Sequence, residues 1–171
     1  MGLPEDLLEQ AGHLARRERK RPRQASLRRA VSAAYYALFH LLTSEAANLI
    51  GPAAPAGLRQ QVRRAFAHRE MKHVCKQFGS GSVQSLNAGT RKLVTAPLAP
   101  ELVSVATAFA DLQEARHQAD YDVSEVLTRV DVLQKIALAR QAFAAWQAIK
   151  GTPNAAVFLA ALRLQRHWSQ G

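Results

Sequence analysis

The chain has 171 residues and one cysteine, with 23 Lys and Arg against 13 Asp and Glu for a formal net charge of +10. That length fits a single domain, residues 1–171, able to bury a core without disulfides or a structural metal, and the lone Cys75 excludes an intrachain disulfide and a cysteine-rich zinc site. A hydrophobic fraction of 48%, much of it alanine and leucine, with only 6% aromatics, favours an all-α protein, and a pI near 10.6 favours polyanions as partners.

Pro4, Glu5 and Asp6 predict the start of a short first helix, because proline is tolerated in a first turn and acids suit the positive end of the dipole. Leu7, Leu8, Ala11, Leu14 and Ala15 form its apolar side. An acidic start of this kind is no signal peptide, and no run approaches the roughly 18 apolar residues of a membrane span. A cytoplasmic protein without membrane contact is the expectation, and the absence of a cysteine pair agrees with a reducing compartment. Residues 16–23 follow, and six of these eight are basic. Such a run either grips phosphates or serves as a solvated connector.

Pro22 breaks the pattern, and Ser26 is a candidate cap for a second helix over residues 26–50. Leu27, Val31, Ala34, Tyr35, Leu38, Leu41, Leu42 and Leu49 give it a wide apolar stripe. A second line, Arg29, Ser32, Tyr36, His40 and Thr43, climbs at the same steps and is polar throughout. It marks either a cleft wall or a set of half-buried polar side chains. A proline- and glycine-rich loop over 51–57 leads into a third helix over 58–78, where Arg64, His68, Lys72 and Lys76 fall at successive four-residue steps. Such a basic row follows a phosphate backbone or faces solvent. Residues 79–99 lack a clear period and predict a flexible loop, long enough to be a functional flap.

Pro100 opens a fourth helix, on which Leu102, Val105, Phe109 and Leu112 recur along one stripe. The next places on that stripe are Arg116 and Asp120. Ions on an inward face cost several kcal/mol each in desolvation, so such a pair is partnered, lines a cleft or belongs to a site. A fifth helix is expected from Ser124 to Lys150, stopped by residues 151–154, and a C-terminal helical extension over 152–171 completes about five to six helices. Glycine-rich phosphate loops, nucleophile elbows and calcium loops are missing, and His68 and His73, five apart, diverge on a helix; neither a metal nor a cofactor is expected.

Two stretches resemble the HEPN superfamily, in particular small bacterial stand-alone members. Residues 28–40, Arg-Arg-Ala-Val-Ser-Ala-Ala-Tyr-Tyr-Ala-Leu-Phe-His, are similar to that group's second-helix signature. Residues 115–122, Ala-Arg-His-Gln-Ala-Asp-Tyr-Asp, are similar to its Arg-x-x-Ala-Asp-Tyr motif. The resemblance implies an up-and-down antiparallel helical bundle, commonly a homodimer with its arginine motifs facing each other. It also implies RNA or nucleotide binding in a bacterial toxin, defence or stress system, with metal-independent ribonuclease activity in many members. That activity uses an Arg and a His with four to six residues between them. Here the three positions after Arg116 at which that His falls hold Tyr121, Asp122 and Val123, so the expected histidine is absent.

RNA cleavage asks for a base near the ribose 2′-hydroxyl, an acid for the leaving oxygen and a cation for the charge on phosphorus. The candidates are Arg116 for the cation, with Asp120, Tyr121, His117 and His40 around it, while Arg29, Arg64, His68, Lys72 and Lys76 are candidates for nucleic-acid binding. The alternative is a non-catalytic interaction module that pairs with a nucleotidyltransferase or another partner protein.

Overall fold

A computed structural model describes residues 2–168; Met1 and residues 169–171 of the expected domain lie outside it. Among the described residues there are eight α-helices, one 3-10 turn at Val83–Ser85 and no strand, two or three helices more than the sequence suggests. The helices are α1 (Leu3–Arg16), α2 (Gln24–Asn48), α3 (Ala56–Arg64), α4 (His68–Gly79), α5 (Ala88–Arg91), α6 (Pro100–Tyr121), α7 (Arg129–Ile149) and α8 (Pro153–Trp168). None of them is long and apolar enough to cross a membrane.

The second helix is the centre of the packing. Its side chains Leu27, Val31, Tyr35, Leu38 and Leu42 are buried, and α1, α6, α7, α3 and α8 all lie against it. On α6 the predicted stripe of Leu102, Val105, Phe109 and Leu112 is buried as well. The last helix is part of the same core, since Phe158, Leu159 and Leu162 are buried and Phe158 packs its ring on Phe78. Within residues 79–99, Leu86, Thr90 and Leu98 are buried, and Thr95 and Asn154 exchange two hydrogen bonds between backbone and side chain.

The expected third helix over 58–78 is two helices. At 100° per residue Leu58, Val62 and Phe66 share one side of such a helix, and Met71, Val74, Cys75 and Phe78 fall on roughly the opposite side. One straight rod cannot turn both faces into the core. The chain breaks at Ala67, whose backbone is extended, and α4 restarts at His68 with Met71, Val74, Cys75 and Phe78 buried. Close approach of α4 to α6 then depends on Gly79, where an added Cβ would lie 2.9 Å from Thr107 Oγ1.

The fifth helix starts at Arg129 rather than at Ser124. Ser124 is held in a turn by Asp122, whose Oδ1 accepts from its backbone N–H at 3.0 Å and its hydroxyl at 2.6 Å. The working cap is Thr128, with Asp131 closing a capping box. Val126, before the helix, and Val130, in its first turn, are exposed.

Candidate functional site

Arginines set the geometry of the site's walls before Arg116 enters it. Arg28 reaches from α2 to the end of α6 and donates to the carbonyls of Ala119 at 2.7 Å, Asp122 at 2.8 Å and Glu125. A helix leaves its last four carbonyls without intrahelical partners, so this guanidinium caps α6 from another element. Gln24 brackets the Leu127 backbone beside it, donating to the carbonyl at 2.8 Å and accepting from the N–H at 2.9 Å. Arg28 is thus a structural tie between α2 and the end of α6.

Those ties bring the polar line of α2 against the C-terminal turns of α6. Arg116 and Asp120 are one turn apart, with Arg116 Nε 2.7 Å from Asp120 Oδ2. The contact is an ion pair without an aligned hydrogen bond, because the buried Nε–H does not point at the oxygen. Asp120 is held on its other side by the Ser32 hydroxyl, which donates to Oδ1 at 2.7 Å. Arg116 Nη2 donates to the Tyr36 hydroxyl at 3.1 Å, and the guanidinium carbon lies 5.5 Å from the Tyr36 ring centre and 6.0 Å from that of Tyr35. Cation–π contacts of this kind contribute about 0.5–1 kcal/mol, more when desolvated. With the Arg116 side chain 19% exposed and Asp120 30%, the pair is half sealed and open to solvent on one side.

Behind the tyrosines sit two histidines. His40 stacks on Tyr36 with ring centres 6.2 Å apart, and His68 stacks on Phe39 at 4.3 Å and shares a hydrogen bond between its Nδ1 and the Tyr35 hydroxyl. Burial lowers the pKa of His68 below its ordinary value, and the Arg116 and His40 charges lower it further. Burial, then Arg63, lowers that of His40. Both imidazoles are therefore neutral at pH 7, the state in which an imidazole can accept a proton. Tyr35 is driven the other way, its phenol pKa raised above the ordinary range by burial, so it stays protonated.

The remaining candidates fall outside this cluster. His117 and Tyr121 form an exposed pair on α6, ring centres 4.9 Å apart, and Tyr121 is 66% exposed. Lys72 is bound to Glu114 across the α4–α6 seam, an ion pair that lowers the Glu114 pKa, and Lys76 is exposed. Arg64 is exposed on α3, and Arg29 is exposed on α2. The expected basic row Arg64, His68, Lys72, Lys76 is accordingly broken: Arg64 belongs to another helix, and His68 faces the tyrosines. The same break moves His68 from a phosphate-binding row into the Arg116 cluster. Ser32 and Tyr36 join the site as well; their positions on the polar line of α2 were the signal for it.

Among the described residues no cluster of three or more His, Cys, Asp or Glu side chains could hold a metal ion. Cys75 is buried, and burial raises its thiol pKa well above the ordinary value, so it is no nucleophile. Compared with models of protein families, with curated proteins and with solved structures, the chain matches none.

Proposed function

We propose that this is a HEPN-like RNA-binding protein, an antiparallel bundle that acts as a homodimer, in which the Arg116 cluster receives a phosphate of the RNA and supports metal-independent cleavage. The observation that carries the reading is the convergence of one arginine, two tyrosine hydroxyls and two neutral histidines on three helices of a protein with net charge +10. Arg116 supplies the cation, released toward the ligand as its loosely aligned contact with Asp120 gives way. His68 or His40 takes the place of the histidine missing after the motif arginine: it removes the 2′-hydroxyl proton as that oxygen bonds to phosphorus and returns the proton to the 5′ oxygen as the P–O5′ bond breaks, leaving a 2′,3′-cyclic phosphate. The bacterial toxin, defence or stress setting comes from the HEPN-like motifs alone.

The test is incubation of a mixed RNA pool with the protein in EDTA. Cleavage by the wild type is expected, with a loss of at least 100-fold in Arg116→Ala and in the His40→Ala/His68→Ala double variant. Absence of cleavage, or cleavage indifferent to Arg116, rejects the enzymatic part.

A second reading, the interaction module, is favoured by a different observation. Tyr121, the last residue of the Arg-x-x-Ala-Asp-Tyr motif, and Val123, Val126 and Val130 beyond it are from 63% to 88% exposed. Exposed apolar residues grouped in this way mark interaction surfaces. A Val123→Asp/Val126→Asp variant that abolishes dimerisation supports the homodimer; one that leaves the dimer intact but loses a co-purified partner protein supports the module.

A further inference from the structure

A second arginine cluster, which the Arg116 site does not use, lies between α1 and α7. Glu9, Gly12, His13, Arg16, Arg17 and Arg140 line an open groove of about 440 Å³ there. Gly12 is buried in the middle of α1, where a glycine is destabilising relative to alanine. A Cβ at that position would lie 3.3 Å from Arg140 Nη2 and 3.4 Å from Arg16 Nη1. Two guanidinium groups from different helices therefore converge over one bare backbone position. Among the described residues neither the Arg17 nor the Arg140 guanidinium has a hydrogen bond or ion-pair partner, and Arg16 spends only Nη1, on the Gly12 carbonyl at 3.2 Å. The groove's single acid, Glu9, is exposed and pairs with none of them.

Carbonyls at the end of α1 would ordinarily repel an anion, yet here they are occupied. Gly12 O accepts from Arg16, Leu14 O from the Arg17 backbone N–H at 3.4 Å, and Ala15 O from Arg129 Nε at 3.1 Å. Arg129 also holds the carbonyls of Glu18 and Arg19, so the basic run that leaves the groove is tied to α7 as a fixed bend. Its one acid, Glu18, accepts from the Ser26 hydroxyl at 2.9 Å and from the Arg23 N–H at 3.3 Å, and these bonds together with the nearby Arg17 charge lower its pKa. Arg17, Arg19, Lys20, Arg21 and Arg23 are left exposed along the bend. No Phe, Tyr or Trp lines the groove, and its guanidinium groups suit phosphates.

The geometry points to a sequence-independent phosphate track for single-stranded RNA, formed by the α1–α7 groove and the bend at residues 16–23. It rests on the proposed function for RNA as ligand and is separate from the Arg116 cluster. The test follows fluorescence anisotropy of a labelled uridine 15-mer on the full chain across a salt series. Arg17→Ala/Arg140→Ala is expected to weaken binding at least tenfold at low salt and to lower the slope of log affinity against log salt by roughly 1.4, about 0.7 per arginine. Gly12→Leu, which fills the space between the guanidinium groups without changing charge, is expected to weaken binding as well, with its helical melting curve recorded as the folding control. Arg91→Ala/Lys92→Ala removes the same charge elsewhere and is expected to leave the slope unchanged.

Wild-type affinity and slope in Arg17→Ala/Arg140→Ala overturn the track, as does an equal loss in the Arg91/Lys92 control. If those groove variants bind normally while Arg116→Ala loses binding, the track fails and the Arg116 reading stands. Lost cleavage in Arg116→Ala with the slope lowered by about 0.7, its one phosphate contact, beside a reduction of roughly 1.4 in the groove variant, supports both. A wild type that does not bind the 15-mer rejects both.

Discussion

Around Arg116 the charge is answered from other side chains: Asp120 faces it, the Tyr36 hydroxyl accepts from it and two aromatic rings lie beneath it. Around Arg140, on the adjacent helix, the guanidinium meets a glycine and another arginine and has no acid in contact. Both regions use arginine at a helix–helix contact, but only the first has replaced the water it lost. An arginine whose desolvation is offset internally contributes to stability and binds a ligand only by giving something up. An exposed, unpaired one contributes little to stability and keeps its charge for a polyanion.

The largest effect that can break this comparison is expected at a residue of neither site. Arg28→Ala removes three bonds from a charged donor to carbonyls at and just beyond the end of α6, and should cost about 3 kcal/mol, read from urea denaturation. If the loss is below about 1 kcal/mol, the tie does not position the Arg116 wall.

Arg116→Ala comes next. It leaves Asp120 with Ser32 alone and removes the cation from the tyrosine faces, for an expected loss of about 2 kcal/mol in the same titration, less than for a fully buried pair because both side chains are partly exposed. A variant as stable as the wild type would show that the pair is poised for a ligand rather than seated.

The pH dependence is smaller and separates the histidines from the carboxylates. His40 and His68 have folded-state pKa values below their ordinary 6.5, so between those lowered values and pH 6.5 the unfolded chain binds more protons. Stability is then complete above about pH 6.5 and declines as pH falls below it. Urea midpoints from about pH 7.5 to 5 should slope in the wild type and flatten in His40→Gln/His68→Gln. An unaltered slope would place the titration elsewhere.

Arg140→Ala should change stability by no more than about 0.5 kcal/mol, since nothing in the fold leans on its charge. A loss comparable to that of Arg116→Ala would remove the contrast between the two regions.

Much of this was legible before any coordinates. The stripes of α2 and α6 were plain because core-facing residues recur at helical steps, and Arg116 stood out by interrupting such a stripe. The polar line Ser32, Tyr36, His40 was legible for the same reason, and it is one wall of the site. The break at Ala67 was present as a phase reversal between Phe66 and Met71, but the basic residues at 64, 68, 72 and 76 spelled a competing period across it. Local capping misled at Ser124, where Asp122 claims the serine for a turn and Thr128 starts the helix.

By itself the sequence determined that the chain is helical, which faces are apolar, and that a charged pair sits where a core residue belongs. Those properties depend on neighbours three and four residues away, and local periodicity records them. Only the tertiary structure decided that Arg28 and Arg129 are caps, that His68 joins Arg116, and that Arg16 and Arg140 meet over Gly12. The partners in those contacts are backbone carbonyls, rings and a bare glycine, and Arg140 and Gly12 are 128 residues apart along the chain. A carbonyl is the same at every position, so no residue pattern marks which one an arginine will find.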